Sequence, residues 1–172
     1  MNQYKDSYTN KILIKSFIEL LEKKSINEIS VTTLTNHAQI SRATFYRHYS
    51  SIESFLFVYI EYLIREFNDT NQYLKELNIV SFVYNLSKHL YNHKNFFIVI
   101  FRQNIPEKII PIIKNYLANY FPINDEIDPY RLNAFAYGLY GWFENWIKDG
   151  MQITPDELLK LMKKHNLDDF YI

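Results

Sequence analysis

The sequence predicts an all-α protein: a three-helix head with a helix-turn-helix, followed by a helical bundle. Three observations carry that expectation. Apolar residues recur at three- and four-residue intervals along most of the chain, the spacing of one buried helix face. Ser, Thr or Asp stands before several of these runs, where a side-chain oxygen satisfies the free N–H groups of a helix start. Only 3 Gly and 5 Pro punctuate 172 residues, too few for a turn-rich β-sandwich or a Gly-rich phosphate loop.

Each element follows in order. Ile12, Leu13, Phe17, Leu20 and Leu21 share one face of a first helix over 8–24. A short loop, 25–30, leads to Ser30, which caps a second helix over 31–38. Gln39-Ile40 is a tight link, and Ser41 caps a third helix over 42–49. Ser50-Ser-Ile-Glu53 reads as a capping box that opens a fourth helix to about residue 68. Further helices are expected over 76–91, 94–103, 106–120, 129–148 and 155–165. Pro106 fits a first turn, Pro111 a kink and Pro122 a stop. Asp128-Pro129 and Thr154-Pro-Asp-Glu157 are helix starts, and Gly150 marks a left-handed helix end.

Composition narrows the function. With no Cys there are no disulfides, thiolate metal sites or Cys nucleophiles. Apolar runs are too short to span a bilayer, so the expectation is a cytoplasmic protein with no membrane partner. The formal net charge is zero. Residues 1–50 nevertheless carry seven basic and four acidic side chains, a net +3, and residues 51–172 a net −3. A basic front suits an anionic partner for the first third, although such an imbalance also arises by chance. No Ser-His-acid spacing or cofactor loop is visible, so neither enzyme activity nor a cofactor is expected.

Two short helices joined by a tight link and braced by a third can dock on duplex DNA, the second helix in the major groove. The segment 42–49 suits that task. Phe45 and Tyr49 can pin its inner face, leaving Ala43, Thr44, Arg47 and His48 outside. Arg42 or Arg47 can read a guanine edge, and Tyr46 and His48 can reach phosphates.

The run from Ile29 to Phe55, above all Ile40-Ser-Arg-Ala-Thr-Phe-Tyr-Arg-His-Tyr49, resembles the DNA-binding head of the TetR family of transcriptional regulators. The resemblance implies DNA contacts from Thr32, Thr33, Ser41, Arg42, Ala43, Thr44, Tyr46, Arg47 and His48, with Tyr46 and His48 as the phosphate pair. Three positions depart from the family pattern. Gln39 stands in place of a turn Gly, Ala43 in place of a common Gly, and Ile52 in place of a phosphate-binding Lys. Residues 139–158 are similar to the C-terminal region of a compact subgroup that includes dihydroxyacetone-kinase operon regulators.

By this resemblance, residues 1–50 form the helix-turn-helix DNA-binding domain and 51–172 a helical regulatory and dimerisation domain. A homodimer would bind a near-palindromic operator in double-stranded DNA, under a small-molecule effector, with the fourth helix carrying the change to the heads. Phe82, His89, Phe97, Phe101, Tyr137 and Trp142 are the effector-pocket candidates, although aromatics at helical spacing equally build plain core. Gly138, Gly141, Trp146, Leu158, Leu161 and Met162 are the dimer-interface candidates; helical Gly suits a close crossing, within one subunit or between two. His89 and His93 have metal-ligand spacing without an evident third ligand, so no metal is expected. The alternative reading is a TetR-like co-regulator that acts through a partner protein and binds little DNA itself.

Overall fold

The computed structural model describes residues 8–71, 79–103 and 128–164. The expected helix over 106–120, with Pro106, Pro111 and Pro122, lies outside the described residues, as does His165. The described residues form eight α-helices: α1 (Tyr8–Leu21), α2 (Val31–His37), α3 (Arg42–Tyr46), α4 (Ile52–Thr70), α5 (Ile79–Asn92), α6 (Lys94–Phe101), α7 (Asp128–Lys148) and α8 (Pro155–Lys164). A 3₁₀ turn, Ile26–Glu28, occupies the expected loop between α1 and α2. No strand occurs among the described residues, and none of their helices is long and apolar enough to cross a membrane.

Packing divides the chain into two compact units, Met1–Thr70 and Asn71–Ile172. Helix α4 therefore shares the core of the head. In the first unit, α1 buries Leu13, Phe17, Leu20 and Leu21, the stripe its periodicity predicts. Leu34 from α2, Phe45 from α3, and Phe55 and Leu56 from α4 close the core. At its centre the Phe55 ring meets Phe17 edge-on at 5.6 Å, Tyr49 edge-on at 5.0 Å and Phe45 at 6.2 Å. Each fully buried side chain of this size contributes about 1.5–3 kcal/mol over leaving it in water. The buried Tyr49 hydroxyl donates a 2.9 Å hydrogen bond to Asn10 Oδ1, which ties the segment after α3 to α1. A second tie joins α1 and α2 at the surface, where His37 Nε2 and Glu19 Oε2 lie 2.8 Å apart.

The two helices of the helix-turn-helix start alike. Ser30 Oγ accepts from the Thr33 N–H and Ser41 Oγ from the Thr44 N–H, both at 3.0 Å. In each cap the Ser and Thr hydroxyls also bond one another, at 2.9 and 2.8 Å. Gln39 turns the chain between them with φ +53°, the left-handed conformation that the missing Gly would have taken without strain. Helix α3 is shorter than the spacing predicts: it ends at Tyr46, and His48 N–H closes a tighter turn onto the Phe45 carbonyl at 2.9 Å.

Two expectations at the start of α4 need correcting. The cap is Ser51, whose Oγ accepts from Ser54 N–H at 3.1 Å, one residue later than the Ser50-Glu53 box predicts. That register turns Ile52 inward, where it is 7% exposed. Its side chain completes the head core.

In the second unit, α5 packs against α6 and α8, and α6 against α7. The Tyr91 ring of α5 stacks on Trp146 of α7 at 6.0 Å, and Trp146 Nε1–H donates to the Ile153 carbonyl at 2.9 Å. Phe101 of α6 stacks on Tyr140 of α7 at 6.3 Å. Helix α7 ends as predicted, at Gly150 with φ +80°, and Met151 follows at +49°. Gly150 N–H bonds the Ile147 carbonyl and Met151 N–H the Trp146 carbonyl, the paired bonds of a left-handed helix stop. Thr154 and Glu157 then cap α8 reciprocally, with the Thr154 N–H and hydroxyl both on Glu157 Oε2 at 2.7 and 2.8 Å. These bonds, the backbone one first, hold the Glu157 carboxyl below its usual pKa. Tyr84 of α5 reaches Asp156 Oδ1 at 3.1 Å and latches the same end of α8.

Burial raises the Tyr49 pKa to about 12 from its ordinary 10.0. The folded head therefore keeps a proton that the unfolded chain gives up first. This contribution is complete below pH 10 and is lost as pH rises from there to about 12. Denaturant melts across that window should fall less steeply for Tyr49→Phe than for the wild type, by up to one proton per chain. Ile52→Lys should cost about 1–3 kcal/mol, several degrees of melting temperature by circular dichroism. An unchanged melt would place residue 52 in solvent.

Candidate nucleic-acid interface

The sequence makes a reader face by placing its large apolar side chains on one side of 41–49 only. Phe45 and Tyr49 are buried, at 0 and 3% exposure, so the intervening residues are turned out. Ser41, Arg42, Ala43, Tyr46, Arg47 and His48 are exposed, as is Thr32 on α2. Thr33 and Thr44 are half-buried and already bonded to the cap serines. Of the nine predicted DNA-contact residues, seven thus lie open on the head and two are held back as cap partners.

Tyr46 keeps half of its surface exposed, at 50%. The Arg42 guanidinium lies over it, 5.9 Å from the ring centroid. That contact limits the freedom of both side chains before any partner arrives. Arg42, Arg47 and His48 bring cationic or proton-accepting groups to a face with no acid among its own exposed residues from 41 to 48. Such a face attracts a phosphate backbone, and its two guanidinium forks can read base edges.

An open groove of about 420 Å³ runs beside this face, lined by Tyr46, His48, Tyr49, Ser50, Ser54, Phe57, Val58 and Glu61. Tyr46 and His48 stand together on it. Glu61 and the exposed Phe57 make its α4 wall a poor seat for an anion, so the rim formed by Tyr46 and His48 is the part suited to phosphate. Ser54, Phe57, Val58 and Glu61 were not among the residues expected here. An exposed Phe one turn from a carboxylate on α4 was the available signal.

The second-unit candidates separate. Phe82 and Phe101 are core, at 3 and 5% exposure. His89, Phe97 and Trp142 are half-buried, and Tyr137 is 55% exposed. These six do not share one environment. Of the interface candidates, Trp146, Leu158 and Met162 are buried within the chain, at 4, 3 and 1% exposure. Gly138 and Gly141 are partly accessible and Leu161 is exposed. A Cβ added at Gly141 would meet nothing within 4 Å among the described residues. Unforeseen was the exposed stripe of α7: Tyr130, Ala134, Tyr137, Asn145 and Lys148, with Gly141 in line. Its three- and four-residue spacing was present in the sequence, hidden among the many other aromatics.

The second unit is also where a known family matches. Residues 77–166 match the family model TetR_C_8, a transcriptional regulator C-terminal region. No curated protein sequence matches the chain. Among solved structures, the chain is similar to Lin0861 from Listeria innocua, at TM-score 0.70 and 20% identity over 91% of this chain and 88% of that one. It is similar to the fatty acid degradation regulator FadR from Bacillus halodurans, at TM-score 0.63 and 13% identity over 94 and 95% of the two chains. It is similar also to the dihydroxyacetone kinase operon activator DhaS, at TM-score 0.61 and 19% identity over 95 and 96%. The fold is shared along nearly the whole length, and the family match covers just over half of it: the chain belongs to the TetR family of transcriptional regulators.

Proposed function

We propose that this regulator is a cytoplasmic homodimer that binds a near-palindromic operator and acts by binding, without catalysis. The observation that carries the reading is the exposed set Arg42, Ala43, Tyr46, Arg47 and His48 on a segment pinned from behind by Phe45 and Tyr49. Residues 1–50 are its DNA-binding part and 51–172 its regulatory and dimerisation part. Arg42 and Arg47 read bases; Tyr46 and His48 hold phosphates; Thr32 and Ser41 flank them. Thr33 and Thr44 act chiefly by fixing the two helix starts.

Dimerisation uses the exposed stripe of α7, with Leu161 of α8 beside it in sequence order. Small residues at Ala134, Gly138 and Gly141 would let a partner helix approach, which gives the helical glycines a reason at ~1 kcal/mol each. Two heads then address half-sites about 34–36 Å apart, or a multiple of that. A small molecule taken up among the half-buried aromatics of the second unit would change the separation of the heads, with α4 as the lever.

Selection of bound sequences from random duplex DNA by the purified protein tests the reading. An enriched inverted repeat is expected; no enriched motif would favour a co-regulator that works through a partner protein. Tyr46→Phe and His48→Ala should weaken operator and unrelated DNA alike, because phosphates carry no sequence information. Arg47→Ala should cost about 1–3 kcal/mol on the operator and relax its preference. For assembly, Tyr137→Glu should give monomer by sedimentation with an unchanged helical spectrum. Trp146→Glu should instead lower the melting temperature, since its ring is internal.

A further inference from the structure

His89 and His93 are not accounted for by DNA reading or by the α7 stripe. His89 lies in the last turn of α5, and His93 is the single residue between α5 and α6. Four residues apart, they face the same way, with ring centroids 5.0 Å apart and planes at 59°. A ring nitrogen of each lies within 4.8 Å of one on the other. Two ligands of a tetrahedral ion at Zn–N distances of about 2.0–2.1 Å stand roughly 3.3 Å apart. The pair is thus within reach of that spacing, and both residues are half-buried.

Charge around the pair is compatible with a cation. The neighbouring ammonium groups are drawn elsewhere: Lys88 Nζ lies 5.4 Å from the Tyr84 ring centre and Lys94 Nζ 5.0 Å from that of Tyr91. Imidazole donors select borderline divalent ions such as Zn²⁺, Ni²⁺ or Cu²⁺ over Mg²⁺ or Ca²⁺, which prefer oxygen. We propose that His89 and His93 bind one such ion per chain, with water in the remaining positions, and so pin the end of α5 to the start of α6. The ion replaces the freedom of a one-residue joint with a two-point clamp. This site is independent of the DNA-binding reading.

Calorimetric titration of metal-freed full-length protein with zinc sulfate tests it, alongside His89→Gln, His93→Gln and, as a control, His37→Gln. One ion per chain is expected, with micromolar affinity. Either pair variant should lose about tenfold or more, since removing one point of a two-point site forfeits the local concentration of the second. His37→Gln should bind as the wild type does. Should the pair variants fail to fold, imidazole NMR of the wild type decides: of the five His in the chain, zinc should shift the signals of His89 and His93. No saturable binding, binding unchanged in both pair variants, or shifts at other histidines instead would overturn the proposal.

Discussion

Everything the head presents to a partner depends on how Phe45 and Tyr49 are held. Helix α3 has five residues, far too few to be helical alone in water. It exists because Ser41 caps one end and the Phe45 and Tyr49 rings are locked against Phe55 at the other. The hydrogen bond from Tyr49 to Asn10 makes this grip directional. An aromatic core tolerates some sliding, whereas a buried hydroxyl left without its acceptor costs about 1–3 kcal/mol. Rotation of the reader segment about its own axis is thereby penalised, and the outward residues keep a fixed order.

Much of this was legible in the sequence. The inward pair at 45 and 49, the serine caps at 30 and 41 and the left-handed stop at Gly150 each follow from local chemistry. Gln39 was readable as well: a residue standing where the family pattern has Gly must take either strain or a different turn, and it takes the left-handed conformation. The extents of helices α1, α2, α5, α6 and α8 came within a few residues, because their periodicity is strong and their ends are marked.

What failed to be legible depended on long-range packing or on a single residue of register. Ser50 and Ser51 are equally good caps by type; which one serves decides whether residue 52 faces the core or the solvent. Similarly, Trp146 and Tyr137 are both large aromatics on α7, nine positions apart. Tertiary neighbours, Tyr91 of α5 and the Ile153 carbonyl among them, make the first internal, while the second stays exposed. Sequence can assign a residue to a face of its helix, but the partner covering that face is fixed by the tertiary arrangement. The effector-pocket and interface candidates divided along that line.

The stacked Trp146 has a practical corollary. The chain has 2 Trp, Trp142 and Trp146, and both belong to α7. The first compact unit has none, although it is rich in tyrosine and phenylalanine. Excitation selective for indole therefore follows the second unit alone, whereas far-ultraviolet dichroism follows both. The native protein thus carries a built-in optical label on its second unit. Melting of the head, or ordering of the second unit around a bound molecule, can be resolved by comparing the two signals without adding a dye.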